Sequence, residues 1–386
     1  MAQGNVSVQN LNLGQGPVTE IERFFLFIGA ADKYIDKPVL LNTQSDLDAE
    51  LGEEESELKR QIVAARLNGG DRWACMALTP KKVASTPKKD GDEDQQDVWS
   101  TALDRAQSKG LEFEAVVITT HVTKSRELET MNKKAIELNQ KYGRRVFFMA
   151  ASKGIAIAED KCWADYINEQ TELTENLSAP RVLVVPQLHV NNLGVLAGRL
   201  ANSSVSVADS PMRVATGALI GLGPVPVDNH SQALSSAVLT SLDAARLSVP
   251  QVYPDYPGTF WGDANMLDAP GSDYTVVENL RIVDKAARRV RILLIQMVAD
   301  RRINSTPSSM ASTKMRLMRP LREMSRSAQF AGLKFPGDIQ PPKDDDIVLV
   351  WKTRTTIEAY LKLRPFNCPK DLIANIALDL SLDDEE

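Results

Sequence analysis

Cysteine is scarce in this 386-residue sequence, and its three copies do not suggest a covalent framework. Cys75, Cys162 and Cys368 lie far apart and are odd in number, which is typical of reduced thiols in an intracellular protein rather than of paired disulfides. We therefore expect neither a disulfide scaffold nor a metal or redox site built on cysteine.

Histidines and catalytic motifs are equally few. His121, His189 and His230 are isolated and no H-E-x-x-H occurs, so a zinc site would have to be assembled from distant segments. The Walker phosphate-binding motif and the G-x-S-x-G nucleophile motif are both absent. The glycines of GALIGLGP (217–224) do not form G-x-G-x-x-G, and the proline after Gly223 opposes a helix start there. These absences argue against an enzyme, and no cofactor is expected.

Long apolar runs are also missing. The longest one near the start, Phe24–Ala31, follows Glu22 and Arg23 and is far shorter than the roughly 20 residues that a membrane span needs. We expect a protein that is made in the cytosol, stays soluble and does not insert into membranes.

The overall composition is that of a soluble globular protein. Hydrophobic residues make up 43% and charged residues 25% of the chain, which excludes collagen-like and fully disordered classes. The length predicts about two to three domains. The net charge of -6 gives no reason to expect nucleic acid or an anionic membrane as a partner of the whole chain.

Up to residue 253 the chain alternates between strand-like and helix-like segments. Strand-like apolar runs lie at 21–28, 38–41, 73–78, 114–120, 145–149, 181–185 and 249–253. Helical patterns lie at 45–52, 56–67, 98–109, 124–141, 159–169 and 230–247. This alternation predicts a largely parallel sheet covered by helices. The charged stretch 80–97 interrupts it and is predicted to be a solvated loop.

A change of texture at 253–274 predicts a domain junction, because this stretch is rich in proline and glycine. Beyond it, apolar residues recur every three or four positions from Leu280 to Met297, which predicts a long amphipathic helix. A second helix to about Ser327 and extended segments at 347–352, 356–363 and 372–380 follow. The C-terminal part is therefore predicted to be an α+β domain.

The stretch from Arg281 to Arg326 is strongly basic, with twelve Lys or Arg residues against three acidic ones. One interpretation is that these residues solvate the outer faces of two helices. The other is an electropositive face that docks an acidic protein or nucleic acid. Since no aromatic residues are interleaved for base stacking, a protein partner is favoured.

Both ends of the chain have the pattern of strands. Near the start, apolar residues nearly alternate with polar ones; they are Val6, Val8, Leu11 and Leu13. Near the end, an apolar ribbon precedes the acidic terminus; it consists of Leu372, Ile373, Ile376, Leu378 and Leu380. An isolated strand cannot satisfy its own backbone groups, so each end must pair with a sheet. That sheet is either the chain's own or, by β-augmentation, that of a neighbouring copy.

Three stretches give the sequence a family resemblance. PVLLNTQSDLDAELG (38–52) with WACMALTP (73–80) is similar to the opening of the contractile tail sheath proteins of myophages, in the branch of Mu-like phages and prophages. FWGDANML (260–267) and the helix after it resemble the W-G turn and long helix of that family's C-terminal domain. RPFNCPKDLIANIALDL (364–380) resembles the closing strand through which sheath subunits pair.

The resemblance implies an α/β plus α+β fold in four parts. These are an N-terminal linker strand (1–16), an outer mixed α/β sheath domain (17–255), a smaller tube-facing α+β domain (256–371) and a C-terminal linker strand (372–386). The two end segments would be the inter-subunit strands. The basic residues expected to face the tube are Lys285, Arg288, Arg289 and Arg291.

The resemblance also implies a structural function without catalysis. The subunits would polymerise as stacked hexameric rings around a tail tube and contract to drive the tube through the host envelope. The implied partners are other copies of the chain, the tail tube protein, and baseplate and tail terminator proteins, with no nucleic acid. The implied location is the virion tail, after assembly in the host cytoplasm. Two alternatives remain open from the residues: an α/β enzyme with a dispersed site, and a nucleic-acid or adaptor protein that uses the basic face.

Overall fold

The computed structural model describes residues 21–81, 98–108, 110–155, 160–330 and 333–378. The predicted N-terminal strand residues Val6, Val8, Leu11 and Leu13, the residue Leu380 and most of the predicted 80–97 loop lie outside these ranges.

A seven-stranded sheet, here called the central sheet, forms the middle of the large N-terminal domain. Its strands in spatial order are β2 (Val39–Asn42), β3 (Ala74–Leu78), β1 (Phe25–Ile28), β4 (Ala115–Val122), β5 (Phe147–Ser152), β6 (Ala179–Pro186) and β9 (Met266–Leu267). The five inner strands are parallel and the two edge strands are antiparallel. Strands β1 and β5 are buried along their whole length because helices cover both faces of the sheet.

Seven helices of the described chain cover the central sheet. They are α1 (Leu47–Leu51), α2 (Glu57–Asn68), α3 (Val98–Ser108), α4 (Ser125–Tyr142), α5 (Trp163–Thr174), α6 (Asn192–Ala201) and α7 (Ser236–Ala244). Helices α1, α2 and α6 pack on one face, and α3, α4, α5 and α7 pack on the other. The sequence predicted all of them except α6. All ten residues of α6 are buried, so it has no polar stripe from which a helical period could be read.

Helices α2 and α6 cross with their backbones in close contact. A Cβ atom on Gly198 would lie 2.2 Å from the carbonyl oxygen of Ala65, and one on Gly194 would lie 2.1 Å from that of Gln61. Because a backbone carbonyl cannot move aside cheaply, these two positions of α6 need glycine.

The predicted junction at 253–274 contributes strands to the large domain. Strand β7 (Pro250–Val252) pairs with β8 (Thr259–Trp261), and β9 pairs with β6 at the edge of the central sheet. Trp261 is fully buried among the residues on one face of that sheet. The packing of the large domain therefore extends beyond residue 255. The strands involved have only two or three residues each, and the prolines and glycines around them give the sequence the pattern of a loop.

Helix α8 (Val277–Met297) belongs to both domains. Val277 and Leu280 pack in the core of the central sheet, whereas Ile282 and Val290 belong to a separate core in the C-terminal domain. That second core also contains residues of α9 (Pro307–Met324) and of the hairpin β12 (Ile347–Trp351) and β13 (Ile357–Leu361). A short hairpin of β10 (Ala328–Phe330) and β11 (Leu333–Phe335) lies between them in the chain. The predicted combination of a large α/β domain and a separate C-terminal domain is confirmed.

Replacing Gly198 by Ala should force α2 and α6 apart. We expect the free energy of unfolding to fall by about 2 kcal/mol, the usual scale for overpacking a tight core, measured by urea denaturation. Ser241→Ala, at an exposed position of α7, is the control and should change the stability by less than about 0.5 kcal/mol. An unchanged midpoint for Gly198→Ala would show that the helices can separate at little cost.

Candidate assembly surfaces

Two of the four basic residues predicted to face a tube are engaged inside the chain. Lys285 is buried, and its Nζ lies 2.8 Å from Oδ2 of Asp338. The side chain of Arg288 is largely covered; it donates to Glu22 at 2.9 Å and to the backbone carbonyl of Arg145 at 3.0 Å. Both side chains are thus engaged in contacts within the chain, and the expectation that they face a tube stays a prediction.

The other two predicted residues lie nearer to solvent. Arg289 is half-buried and has contacts of its own. Arg291 is exposed, and its guanidinium packs beside Gly143, which ends α4. A cation in this place interacts favourably with the negative end of that helix.

Sequence analysis missed a buried ion pair between the domains. Arg281 of α8 donates from Nε and Nη2 to the two carboxylate oxygens of Glu114, at 2.7 and 2.8 Å, and both side chains are no more than 2% exposed. Burial acts to raise the pKa of Glu114, but the adjacent guanidinium of Arg281 holds that pKa below its ordinary value. The backbone N–H of Arg23 adds a further hydrogen bond to the same carboxylate, at 2.6 Å.

One turn further along α8, Asp284 makes a second set of ion pairs. It accepts two hydrogen bonds from Arg181, at 2.8 and 2.9 Å, and lies 3.3 Å from Arg145. Both arginines belong to the large domain: Arg181 lies in β6, and Arg145 precedes β5. Residues 281, 284, 285 and 288 thus form one charged face of α8, here called the charged seam. Asp338 is more than 50 residues from Lys285 in the chain, and the partners of the other three residues are more than 100 residues away. No local sequence pattern therefore reveals these pairs.

The C-terminal stretch of the described chain, residues 366–378, is exposed throughout and contains no strand. Its apolar side chains face solvent: Leu372, Ile373, Ile376 and Leu378 are 82, 80, 95 and 81% exposed. We call this stretch the C-terminal segment. A strand was predicted there from the sequence; in the single chain, residues 366–378 pair with none of the described strands.

One ion cluster joins the C-terminal segment to the body. Lys370 Nζ lies 2.6 Å from Oδ1 of Asp263 and 2.8 Å from Oε1 of Glu278. Asp263 belongs to the W-G turn before β9, and Glu278 to the first turn of α8. The cluster therefore brings together the later stretches on which the family resemblance rests, although no sequence pattern suggested this contact.

The hairpin β12–β13 is open on both outer edges within the described residues, since its strands pair only with each other. One of its faces is apolar and packs on the second core through Ile347, Leu349 and Leu361. On the other face, Val348 and Tyr360 are about half exposed. Each free edge presents unpaired N–H and C=O groups to a further strand.

Three further exposed arginines of the basic stretch lie on α9. Arg316, Arg319 and Arg322 follow one another at helical spacing on its solvent side, and Arg319 is paired with Glu323. Near the end of α8, Ile295 and Val298 are 53 and 76% exposed. The C-terminal domain thus presents apolar side chains beside arginines.

No site for a metal was found among the described residues, where no group of three or more His, Cys, Asp or Glu side chains could hold an ion. His121 is half-buried near the carboxyl end of β4, and His189 is buried near the carboxyl end of β6; burial lowers the pKa of each. Within the same described ranges, every helix is too short or too polar to cross a bilayer.

Replacing Glu114 by Gln should leave Arg281 with an uncompensated buried charge. We expect a loss of about 3 kcal/mol in unfolding free energy at pH 7, measured by denaturant titration. Because the pKa of Glu114 is lowered on folding, the pair stabilises the native state above the ordinary carboxyl pKa of 4.5, and this contribution is lost as pH falls through the lowered value.

The matched control for this substitution is Glu112→Gln, which removes a half-exposed pair with Arg144. It should cost less than about 1 kcal/mol, as surface pairs do. Equal losses for the two variants, or a difference in stability between wild type and Glu114→Gln that does not shrink as the pH is lowered, would contradict the role given to the buried pair.

Comparisons with known proteins agree with this architecture. The DUF2586 N-terminal domain matches residues 3–265, and the DUF2586 C-terminal domain matches residues 273–381. A protein of Haemophilus phage HP1 (strain HP1c1), named as a tail sheath protein, is 41% identical over 380 residues, which cover 97% of this chain and 98% of that protein.

Solved structures share the fold at low sequence identity. The sheath of the extracellular contractile injection system PVC, in its contracted state, gives a TM-score of 0.60 at 13% identity, over 98% of both chains. The contracted helical sheath of the anti-feeding prophage gives 0.59 at 12% identity, over 97% of this chain and 99% of that one. The sheath tail protein of Desulfitobacterium hafniense gives 0.53 at 9% identity, over 93 and 96%. The resemblance inferred from the sequence is confirmed: this chain belongs to the DUF2586 family of phage tail sheath proteins, and it is a structural protein of the tail rather than an enzyme.

Proposed function

We propose that this chain is the subunit of a contractile tail sheath that polymerises as stacked hexameric rings around a tail tube and contracts to drive the tube through the host envelope. The observation that carries the proposal is the exposed C-terminal segment, whose apolar side chains have no partner within the described chain. A soluble subunit that keeps such a ribbon in water gains by burying it in a neighbour.

The energy available from this burial is considerable. Each Leu or Ile side chain that moves from water into an apolar contact contributes roughly 1.5–3 kcal/mol, and the C-terminal segment carries Leu372, Ile373, Ile376 and Leu378. Backbone pairing with an open sheet edge would satisfy the N–H and C=O groups of the same residues. Both effects favour docking as a strand.

The hairpin β12–β13 is the acceptor that we propose. Its two edges are unpaired in the described chain, and its inner face is already fixed to the second core. A strand from another copy could extend this small sheet without disturbing the packing behind it. The N-terminal segment 1–16, with Val6, Val8, Leu11 and Leu13, would add a second strand in the same way, and Leu380 would extend the C-terminal one.

Contraction requires subunits that move as rigid bodies while their links persist. The charged seam supports the first requirement, since Arg281, Asp284 and Arg288 tie α8 to the large domain. Exchanged end strands would supply the second. In this proposal the large domain, expected from the sequence at 17–255 and extended by β8 and β9, is the outer domain; the C-terminal domain, expected at 256–371, faces the tube, and the ends connect neighbours.

The surface that we propose for the tail tube lies on the C-terminal domain, where α9 presents its arginines and α8 exposes Ile295 and Val298. Arg291 and Arg289 lie on the same helix α8 and remain candidates for this contact. Lys285 and Arg288 would support this contact indirectly, because their ion pairs hold α8 in place. An acidic tube surface would complement the charge.

The other proposed partners are the baseplate and tail terminator proteins at the two ends of the sheath. Neither membrane insertion nor nucleic-acid binding is part of the proposal. Assembly would take place in the host cytoplasm before the tail joins the virion.

Shortening the chain by residues 372–386 should prevent ordered polymerisation and leave the subunit folded, because residues 372–378, the part of this stretch that the structure describes, belong to no core. Ile376→Asp tests the same idea with one side chain that is 95% exposed in the subunit. Val225→Asp, at a 62% exposed position of the large domain, is its control. Electron microscopy should show sheath tubes for Val225→Asp and none for Ile376→Asp, at unchanged melting temperatures.

Deletion of residues 1–16 tests the other end in the same assay and should also prevent ordered polymerisation. Normal tubes from either shortened chain would contradict strand exchange at that end, and so would a shortened chain that no longer folds.

Reversing Arg316 and Arg322 to Glu should weaken assembly on the tube by at least tenfold, since two favourable charge contacts become repulsive. Co-sedimentation with purified tube measures the effect. Lys133→Glu, on the exposed side of α4, is the control and should bind normally. If the double variant assembles on the tube as well as the control does, the tube contact lies elsewhere.

A further inference from the structure

Residues 362–365, which follow β13, are fixed to the C-terminal domain by hydrogen bonds and an ion pair. Asp346 accepts the backbone N–H of Lys362 at 2.8 Å and forms an ion pair with Arg364. Gln340 donates to the carbonyls of Arg364 and Pro365, at 2.8 and 3.0 Å. From residue 366 onward every described residue is exposed.

Within the C-terminal segment, Lys370 alone hydrogen-bonds to another described residue. Its two partners, Asp263 and Glu278, lie beside strand β9 and at the start of α8, where the two domains meet. The segment is thus held at Pro365 by the C-terminal domain and at Lys370 by the domain junction. It is unattached beyond Lys370.

The cluster around Lys370 has an excess of negative charge. Glu278 is largely buried, and its second oxygen, Oε2, has no hydrogen-bond partner in the described chain. Asp263 has one further contact, from the hydroxyl of Ser210 at 3.3 Å. The single ammonium of Lys370 therefore compensates two carboxylates, and its removal would leave a buried acid without a counter-charge. The attraction of two carboxylates for one ammonium group favours the conformation in which Lys370 stays bound to the body.

We propose that Lys370 is a positioning residue for assembly: it anchors the root of the C-terminal segment, so that residues up to 370 stay with their own subunit and residues 371 onward reach the neighbour. The inference rests on the proposed exchange of end strands, and it identifies Lys370 as the residue from which the exchanged segment leaves its own subunit. Fixing the exit point confines the segment to a smaller volume, which raises its effective concentration at one acceptor edge.

The anchor can be tested in the unassembled, full-length chain with a spin label on Cys368, which is exposed and lies two residues before Lys370. Cys162→Ser removes the only other described cysteine that is not buried, and buried Cys75 stays unlabelled. In Lys370→Met, which keeps an unbranched side chain without the charge, we expect the spectrum to sharpen. The label should then explore about 10 Å, as expected three residues beyond a fixed point in a flexible chain.

Lys362→Met, at an exposed position before the segment, is the matched control and should leave the spectrum unchanged. Asp263→Asn, which weakens the cluster from the side of the body, should give a smaller sharpening in the same direction. Thermal melts of each variant establish that the body remains folded. An unchanged spectrum for Lys370→Met would overturn the proposed anchor.

Assembly is then scored separately by electron microscopy. The inference predicts fewer and shorter tubes from Lys370→Met than from Lys362→Met. Normal tubes from a Lys370→Met chain with a mobile label would overturn the role in positioning. The deletion of residues 372–386 decides strand exchange independently, because normal tubes from that chain would contradict the proposed function whatever the spectrum of Lys370→Met shows.

Discussion

The ion pair between Arg281 and Glu114 is the contact on which the relation of the two domains depends. It joins a residue of α8 to the start of β4, in the middle of the central sheet, and excludes water from both charges. Separating the pair would leave each charge buried without a counter-charge, so the pair strongly resists separation. Its net contribution to stability is nevertheless small, because burying two charges is itself costly. Asp284 and Arg288 of the charged seam make further contacts with the large domain. The subunit is thereby constrained to behave as one body.

The ends of the chain have the opposite character. The body buries its apolar residues in two domains, whereas residues 372–378 keep theirs in water and make no strand. Such a distribution is unfavourable for an isolated protein and reasonable for a subunit whose neighbours supply the missing contacts. The ion cluster of Asp263, Glu278 and Lys370 lies at the boundary between the packed body and the exposed end of the chain. Rigid bodies joined by exchanged strands can change their packing without losing their connections.

Sequence analysis predicted most of the fold because local patterns determine it. The helical pattern of α2, the apolar run of β5 and the repeat of apolar residues along α8 each lie within one short stretch of sequence. Helix α6 was missed because burial on all sides removes the polar face that a period needs. Strands β8 and β9 were missed because they are too short to differ from a loop.

The surfaces were harder to predict than the elements. The basic residues of α8 are recognisable in the sequence, but their partners Glu22, Glu114 and Asp338 are distant in the chain, so the ion pairs that they form could not be predicted. The apolar residues of the C-terminal segment are recognisable in the sequence and their pairing as a strand stays a prediction, whereas the anchor at Lys370 depends on the tertiary structure. Family resemblance supplied the function, since no catalytic motif or local constellation could.

The most direct measurement is a reconstruction of the assembled sheath at a resolution that traces the chain ends. The account predicts that residues 372–378 pair as a strand with β12 or β13 of a neighbouring subunit, while the body from residue 21 to Lys370 superposes on the single chain. Residues 372–378 folded onto their own subunit, or free of any neighbour, would contradict it.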